Sequence, residues 1–159
     1  MLGFFKGKSK DNIIYSPCKG KVVPITEVSD PTFSEKVLGD GFAVIPSEGK
    51  IYAPADGEIS MVFDTLHAVT MTTSQGTELL IHIGLDTVTL KGEPFVSHVS
   101  GGQQVKKGDL LLEADLEKIK LAGLDTITPV LICNIDDYNK INLIKEGEVS
   151  TDDEVLKIS

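Results

Sequence analysis

The chain has 159 residues, 41% hydrophobic and 25% charged, which suffices for one domain with its own core. A formal net charge of −9 argues against a nucleic-acid partner and favours a docking partner with a basic rim. Every basic residue is a lysine, so phosphate chemistry here has to proceed without an arginine clamp.

The chain opens "MLGFFKGKSK". Its apolar patch is too short for a secretory segment or a membrane span, and supports at most a weak contact with a membrane surface. Residues 1–14 are therefore expected to form a flexible N-terminal segment, 15–159 a single domain, and the protein to stay in the cytoplasm. From Tyr15 onward, Pro and Gly punctuate short runs rich in Val, Ile, Thr and Phe: "KVVPI", "FAVI", "EISMVF", "AVTMTT", "ELLIHIG", "LLLEAD" and "PVLICN". Short strands at this spacing predict an all-β fold, an antiparallel sandwich or barrel. Helix is expected only as single turns near Asp115–Ala122 and Asp136–Lys140. "SPCKGKVVPI" (Ser16–Ile25) is echoed by "APADGEISMV" (Ala53–Val62), the mark of a duplicated β-unit. Cys18 and Cys133 have no C-x-x-C partner and read as reduced structural thiols.

Of three histidines, His82 interrupts the apolar run "ELLIHIG". Period two sends Leu79, Ile81 and Ile83 to the core and Leu80, His82 and Gly84 to the other face, as an apolar surface patch. "SQG" marks a hairpin turn before this strand. A loop of even length places His67 directly opposite His82, with Cβ atoms about 4.5–5.5 Å apart; a three-residue loop places them on opposite faces. Such a pair can ligate a transition metal, serve as nucleophile and orienting group, or be a structural hydrogen-bonded pair. His98, entering a Gly-rich turn, reads as a solvated surface residue.

The run from "EKVLGDGFAVIPSEGK" through "PADG", "TLHA" and "LLIHIGLDTVTLKGE", with the later "VKKGDLLLEADLEKIK" and "ITPVLICN", resembles the glucose-type enzyme IIA of the bacterial phosphoenolpyruvate:sugar phosphotransferase system. The resemblance covers nearly the whole chain. It implies an antiparallel β-sandwich with a duplicated motif and a phosphotransferase that needs no cofactor. It places the phosphorylated histidine at His82 and the second active-site histidine, which steadies the phosphate, at His67. Thr65 falls where a threonine helps hold the histidines. Gly84 falls where a backbone carbonyl accepts from the imidazole Nδ1–H, and Asp86 where an acidic residue flanks the site. The family's apolar docking patch falls on Phe33, Val37, Leu38, Phe63, Leu80 and Val88. The implied partners are the histidine-containing phosphocarrier protein upstream and a IIB domain of a membrane sugar permease downstream. Zinc is expected at His67 and His82 only where a partner supplies a further ligand. The chain departs from the family pattern at Leu66, where Asn is usual, at Leu80, where Phe is usual, and at Pro31 and Thr32, which replace valines.

Three other readings compete. A zinc peptidase on a related scaffold needs an H-x-H pair, which is absent after His82, although His82 and Asp86 match H-x-x-x-D. A lipoyl- or biotin-bearing domain needs a Lys at a tight hairpin tip, and none stands out. A regulatory binding module on the same fold, responding to phosphorylation, stays open as the alternative. No residue speaks to which sugar is carried.

Overall fold

Alternation with a period of two builds the molecule. The computed structural model describes residues 11–159. In chain order the strands are β1 (Asn12–Tyr15), β2 (Gly20–Pro24), β3 (Asp40–Pro46), β4 (Lys50–Tyr52), β5 (Gly57–Val62), β6 (Ala68–Thr73), β7 (Glu78–His82), β8 (Phe95–Ser97), β9 (Gln104–Val105), β10 (Leu110–Ala114), β11 (Thr128–Ile132), β12 (Ile141–Leu143), β13 (Gly147–Val149) and β14 (Glu154–Ile158). An eight-stranded sheet runs β9-β5-β6-β7-β11-β3-β2-β13. Two three-stranded sheets run β4-β10-β8 and β12-β14-β1. The pairings are antiparallel, as an all-β chain with short connections requires.

The two faces of the large sheet carry different cores. Val22, Val44, Val69, Met71, Leu79, Ile81, Val130 and Ile132 point to one side, where they meet Ile14, Leu111, Leu112 and Leu156 of the small sheets. That is the sandwich core. Val23, Ala43, Ala68, Leu80 and Leu131 alternate to the opposite side and meet Ile25, Val28, Phe33, Leu85 and Ile127. The segment around residues 25–38 therefore roofs the second face. Burying each large side chain there contributes roughly 1.5–3 kcal/mol.

Helix is sparse. α1 (Pro31–Ser34) begins where Asp30 accepts a hydrogen bond from Thr32 N and Pro31 occupies the first turn. α2 (Leu116–Leu121) is capped by Asp115, as the sequence leads one to expect. Around Asp136 the chain makes only a 3-10 turn, Ile135–Asp137, shorter than the expected Asp136–Lys140 turn. No described helix is long and apolar enough to cross a membrane.

Two further expectations are corrected. The boundary at residue 14 falls inside β1: Asn12, Ile13 and Ile14 pair with β14, and Ile14 is fully buried. The domain therefore includes these residues, while the expected membrane-surface contact lies outside the described residues. The β6–β7 loop is odd in length, not even. Thr73 N donates to Thr77 O, Gly76 N donates to Thr73 O, and Gly76 has φ +87°. This is a three-residue hairpin loop with glycine in the left-handed position. It sets Ala68, not His67, opposite His82.

The internal echo is structural. The carbonyls of Lys19 and Asp56, just before β2 and β5, accept from Ser47 N and Ser74 N, both at 2.9 Å. A Cβ on Gly20 or Gly57 would press into the neighbouring strand's backbone, at Ile45 or Thr72. Glycine in both copies lets the strands approach.

Candidate functional site

Although the loop parity opposes it, the two histidines meet. His67 precedes β6 and does not obey its alternation. The β5–β6 turn is closed by Phe63 N donating to Ala68 O and Leu66 N donating to Phe63 O, with Leu66 at φ +59°. The bend carries the His67 ring to within 5.0 Å of the His82 ring, centroid to centroid and nearly perpendicular to it. Leu66 occupies a left-handed position that Asn tolerates better than Leu; here it packs against the main core.

His82 ends β7, where the sheet gives way to the turn Ile83–Asp86. Its Nδ1 lies 2.7 Å from the Gly84 carbonyl oxygen. A carbonyl only accepts, so the proton sits on Nδ1 and the Nε2 lone pair is free. Thr65 Oγ1 lies 2.6 Å from His67 Nδ1. When that hydroxyl donates, His67 carries its proton on Nε2 and can give it to an oxyanion.

Both rings are neutral near pH 7. Burial, together with the neighbouring His82, lowers the His67 pKa to about 4. Burial also lowers that of His82, while the Gly84 carbonyl, Asp30 and Asp86 push it back up. The two carboxylates thus favour positive charge on the His82 ring, such as develops when Nε2 bonds to an electrophile.

Aromatic contacts frame the pair. Phe33, delivered by α1, lies 5.0 Å from the His82 ring, and Phe63 lies 5.3 Å from that of His67. Of the expected docking residues, Phe33 and Leu80 are buried, the latter only 8% exposed. Both are spent on packing and not on the surface: Phe33, from the 25–38 segment, and Leu80, from β7, are buried in the same cluster. Val37, Leu38 and Val88 are exposed, and Phe63 is partly buried. Asp86 stands beside the site in a left-handed conformation, φ +60°.

Asp30 was not singled out from sequence. The signal for it was "SDPTF", an N-cap followed by proline at the first helical position. His98 is remote in role: it pairs with Glu113 at 2.6 Å on the surface. Two imidazoles are half of a tetrahedral zinc shell. Among the described residues no cluster of three or more His, Cys, Asp or Glu could complete one.

Residues 12–138 match the family described as phosphoenolpyruvate-dependent sugar phosphotransferase system, EIIA 1. A PTS system glucose-specific EIIA component of Halalkalibacterium halodurans is 50% identical over 127 residues, covering 80% of this chain and 73% of that one. A PTS system beta-glucoside-specific EIIBCA component of Bacillus subtilis is 46% identical over 147 residues, 92% of this chain; the chain spans only 24% of that relative's length. Other fused relatives are likewise matched over about a fifth to a quarter of their length. The glucose permease IIA from Mycoplasma capricolum superposes with a TM-score of 0.88 at 36% identity, over 94% of this chain and 96% of that one. A chain with this duplicated sandwich and this paired-histidine turn thus belongs to the EIIA 1 family of the phosphoenolpyruvate-dependent sugar phosphotransferase system.

Proposed function

We propose that the protein is a cytoplasmic phosphocarrier. His82 Nε2 takes a phosphoryl group from the phosphohistidine of the histidine-containing phosphocarrier protein and yields it to a cysteine of a IIB domain, coupled to sugar uptake. One observation carries the reading: His82 Nδ1 is held on the Gly84 carbonyl with the second imidazole 5.0 Å away.

As the Nε2–P bond forms, the donor's N–P bond breaks and its ring recovers the electron pair. Nδ1 keeps its proton, donated to the Gly84 carbonyl, so the His82 ring becomes cationic, and Asp30 and Asp86 offset that charge. His67 donates from Nε2 to a phosphoryl oxygen, with Thr65 holding its ring. Val37, Leu38 and Val88 form an apolar rim that excludes water once a partner docks. The acidic body complements a basic donor. Fusion of related segments to EIIB and EIIC in relatives supports a IIB partner. Transfer requires no cofactor; zinc would bind His67 and His82 only with a ligand from a partner.

The test is intact mass after incubation with phosphoenolpyruvate, enzyme I and the phosphocarrier protein. Wild type should gain one acid-labile phosphate, and His82→Ala none. His67→Gln should still accept phosphate but pass it onward poorly. A phosphorylated His82→Ala would overturn the reading.

A further inference from the structure

The Gly84 carbonyl selects the reactive nitrogen of His82, and the turn that holds this carbonyl is pinned on both sides. The peptide joining Gly84 to Leu85 carries the carbonyl at one edge and the Leu85 N–H at the other. That N–H donates to the Asp125 carbonyl at 3.0 Å. In a trans peptide the two groups point in opposite directions, so anchoring the N–H on Asp125 aims the Gly84 oxygen the other way, at His82. The preceding peptide is held through its carbonyl. Thr87 Oγ1–H donates to Ile83 O at 2.5 Å, and Thr87 is fully buried. Ile83 N, in turn, donates to His67 O at 2.7 Å and so ties the turn to the second histidine.

The same two groups enclose Gly84. It has φ +76°, and a Cβ there would lie 2.6 Å from Thr87 Cγ2 and 2.7 Å from Asp125 O. Gly84 is thus wedged between the residues that fix its peptides. The Asp125 side chain steadies its own turn by accepting from Ile127 N at 2.9 Å.

We infer that Thr87 is a positioning residue that, together with the Asp125 carbonyl, sets the peptide planes around Gly84 and thereby the tautomer of His82. Its hydroxyl touches neither imidazole. Without it the Ile83 carbonyl loses its buried donor, the turn relaxes, and the Gly84 oxygen no longer accepts from Nδ1–H and so no longer keeps the proton on that nitrogen. The consequence for phosphoryl acceptance rests on the function proposed above; the tautomer does not.

The test uses the isotope-labelled chain, with ring-nitrogen chemical shifts read at a pH where His82 is neutral. Wild type should show the proton on Nδ1. Thr87→Val, nearly equal in shape, should shift the population toward the Nε2–H form and slow phosphoryl acceptance about 10-fold or more. Thr87→Ser, which restores the hydroxyl, should recover both. A Thr87→Val protein that keeps the wild-type tautomer overturns the inference. So does a folded Thr87→Ser protein that loses it, or a wild type with the proton on Nε2, and these two results decide the matter even if the valine variant does not fold. Failure of all three proteins to accept phosphate, with tautomers as expected, would count against the carrier function and leave the positioning role standing.

Discussion

His67 shows how burial of one ring writes a pH dependence into the fold. Its pKa is 6.5 in the unfolded chain and about 4 in the folded one. As pH falls, the unfolded state takes up the proton first, so acid favours unfolding. The stabilising contribution is complete above pH 6.5, declines between 6.5 and about 4, and changes no further below that. Denaturant titrations across this window should therefore show wild type losing stability more steeply toward acid than His67→Gln, which has no such proton to bind. Equal slopes would mean that His67 is as solvated in the fold as in the open chain. The His82 shift has the same sign, although the Gly84 carbonyl, Asp30 and Asp86 oppose it, so its ring stays neutral and nucleophilic somewhat below its ordinary pKa.

Among the elements, α1 has an influence out of proportion to its four residues. Asp30 caps it, and Asp30 also faces His82. The two roles separate by substitution. Asp30→Ala removes the cap, should cost about 1 kcal/mol, and lets Phe33 drift from the His82 ring. Asp30→Asn keeps an oxygen for Thr32 N and removes only the charge, so the His82 pKa should fall further with little loss of stability. Titration of His82 by NMR, beside denaturation of both variants, checks the pair; an unchanged His82 pKa in Asp30→Asn would deny the charge its role. Elements of this size are where sequence reading reached its limit. Strands announced themselves as short apolar runs between Pro and Gly; Leu79, Leu80 and Ile81 are apolar in succession because they face two different cores. Four residues give no helical period, so only the capping signal "SDP" marked α1. Burial of Phe33 and Leu80 followed from that unannounced roof. The meeting of His67 and His82 was foreseen by way of a wrong loop length. Gly76 in the left-handed region makes the loop odd, and the bend at Leu66 frees His67 from the strand alternation and restores the contact. The pairing of His67 with His82 was legible in residue types and motif, whereas the path that brings them together depended on two backbone conformations.

Across the molecule, the large sheet reads the same from either end, β9-β5-β6-β7 meeting β13-β2-β3-β11, with Ile81 opposite Val130 at the junction. The echoing segments lie in β2 and β5, at matched positions. Only one copy carries histidines: the position matching His82 across the junction is Leu131, fully buried. The frame is common to both halves, and only one half brings two histidines together. Stability and site should therefore separate by face. Ile14 belongs to the sandwich core, on the side of the large sheet away from His82. Ile14→Ala should cost about 2–5 kcal/mol through the cavity it leaves. At about 2–4 °C per kcal/mol for a chain of this size, the melting temperature should drop by about 4–20 °C. Beginning the chain at Tyr15 removes Ile14 together with every β1–β14 pair except Tyr15 with Glu154, and should lower it further. Phosphoryl acceptance by Ile14→Ala, measured well below its melting temperature, should match wild type, because Gly84, Thr87 and Asp125 are untouched. A full-strength melting temperature in the chain beginning at Tyr15 would place β1 outside the cooperative core. Slowed acceptance in folded Ile14→Ala would mean that the two faces of the sheet are coupled through β7.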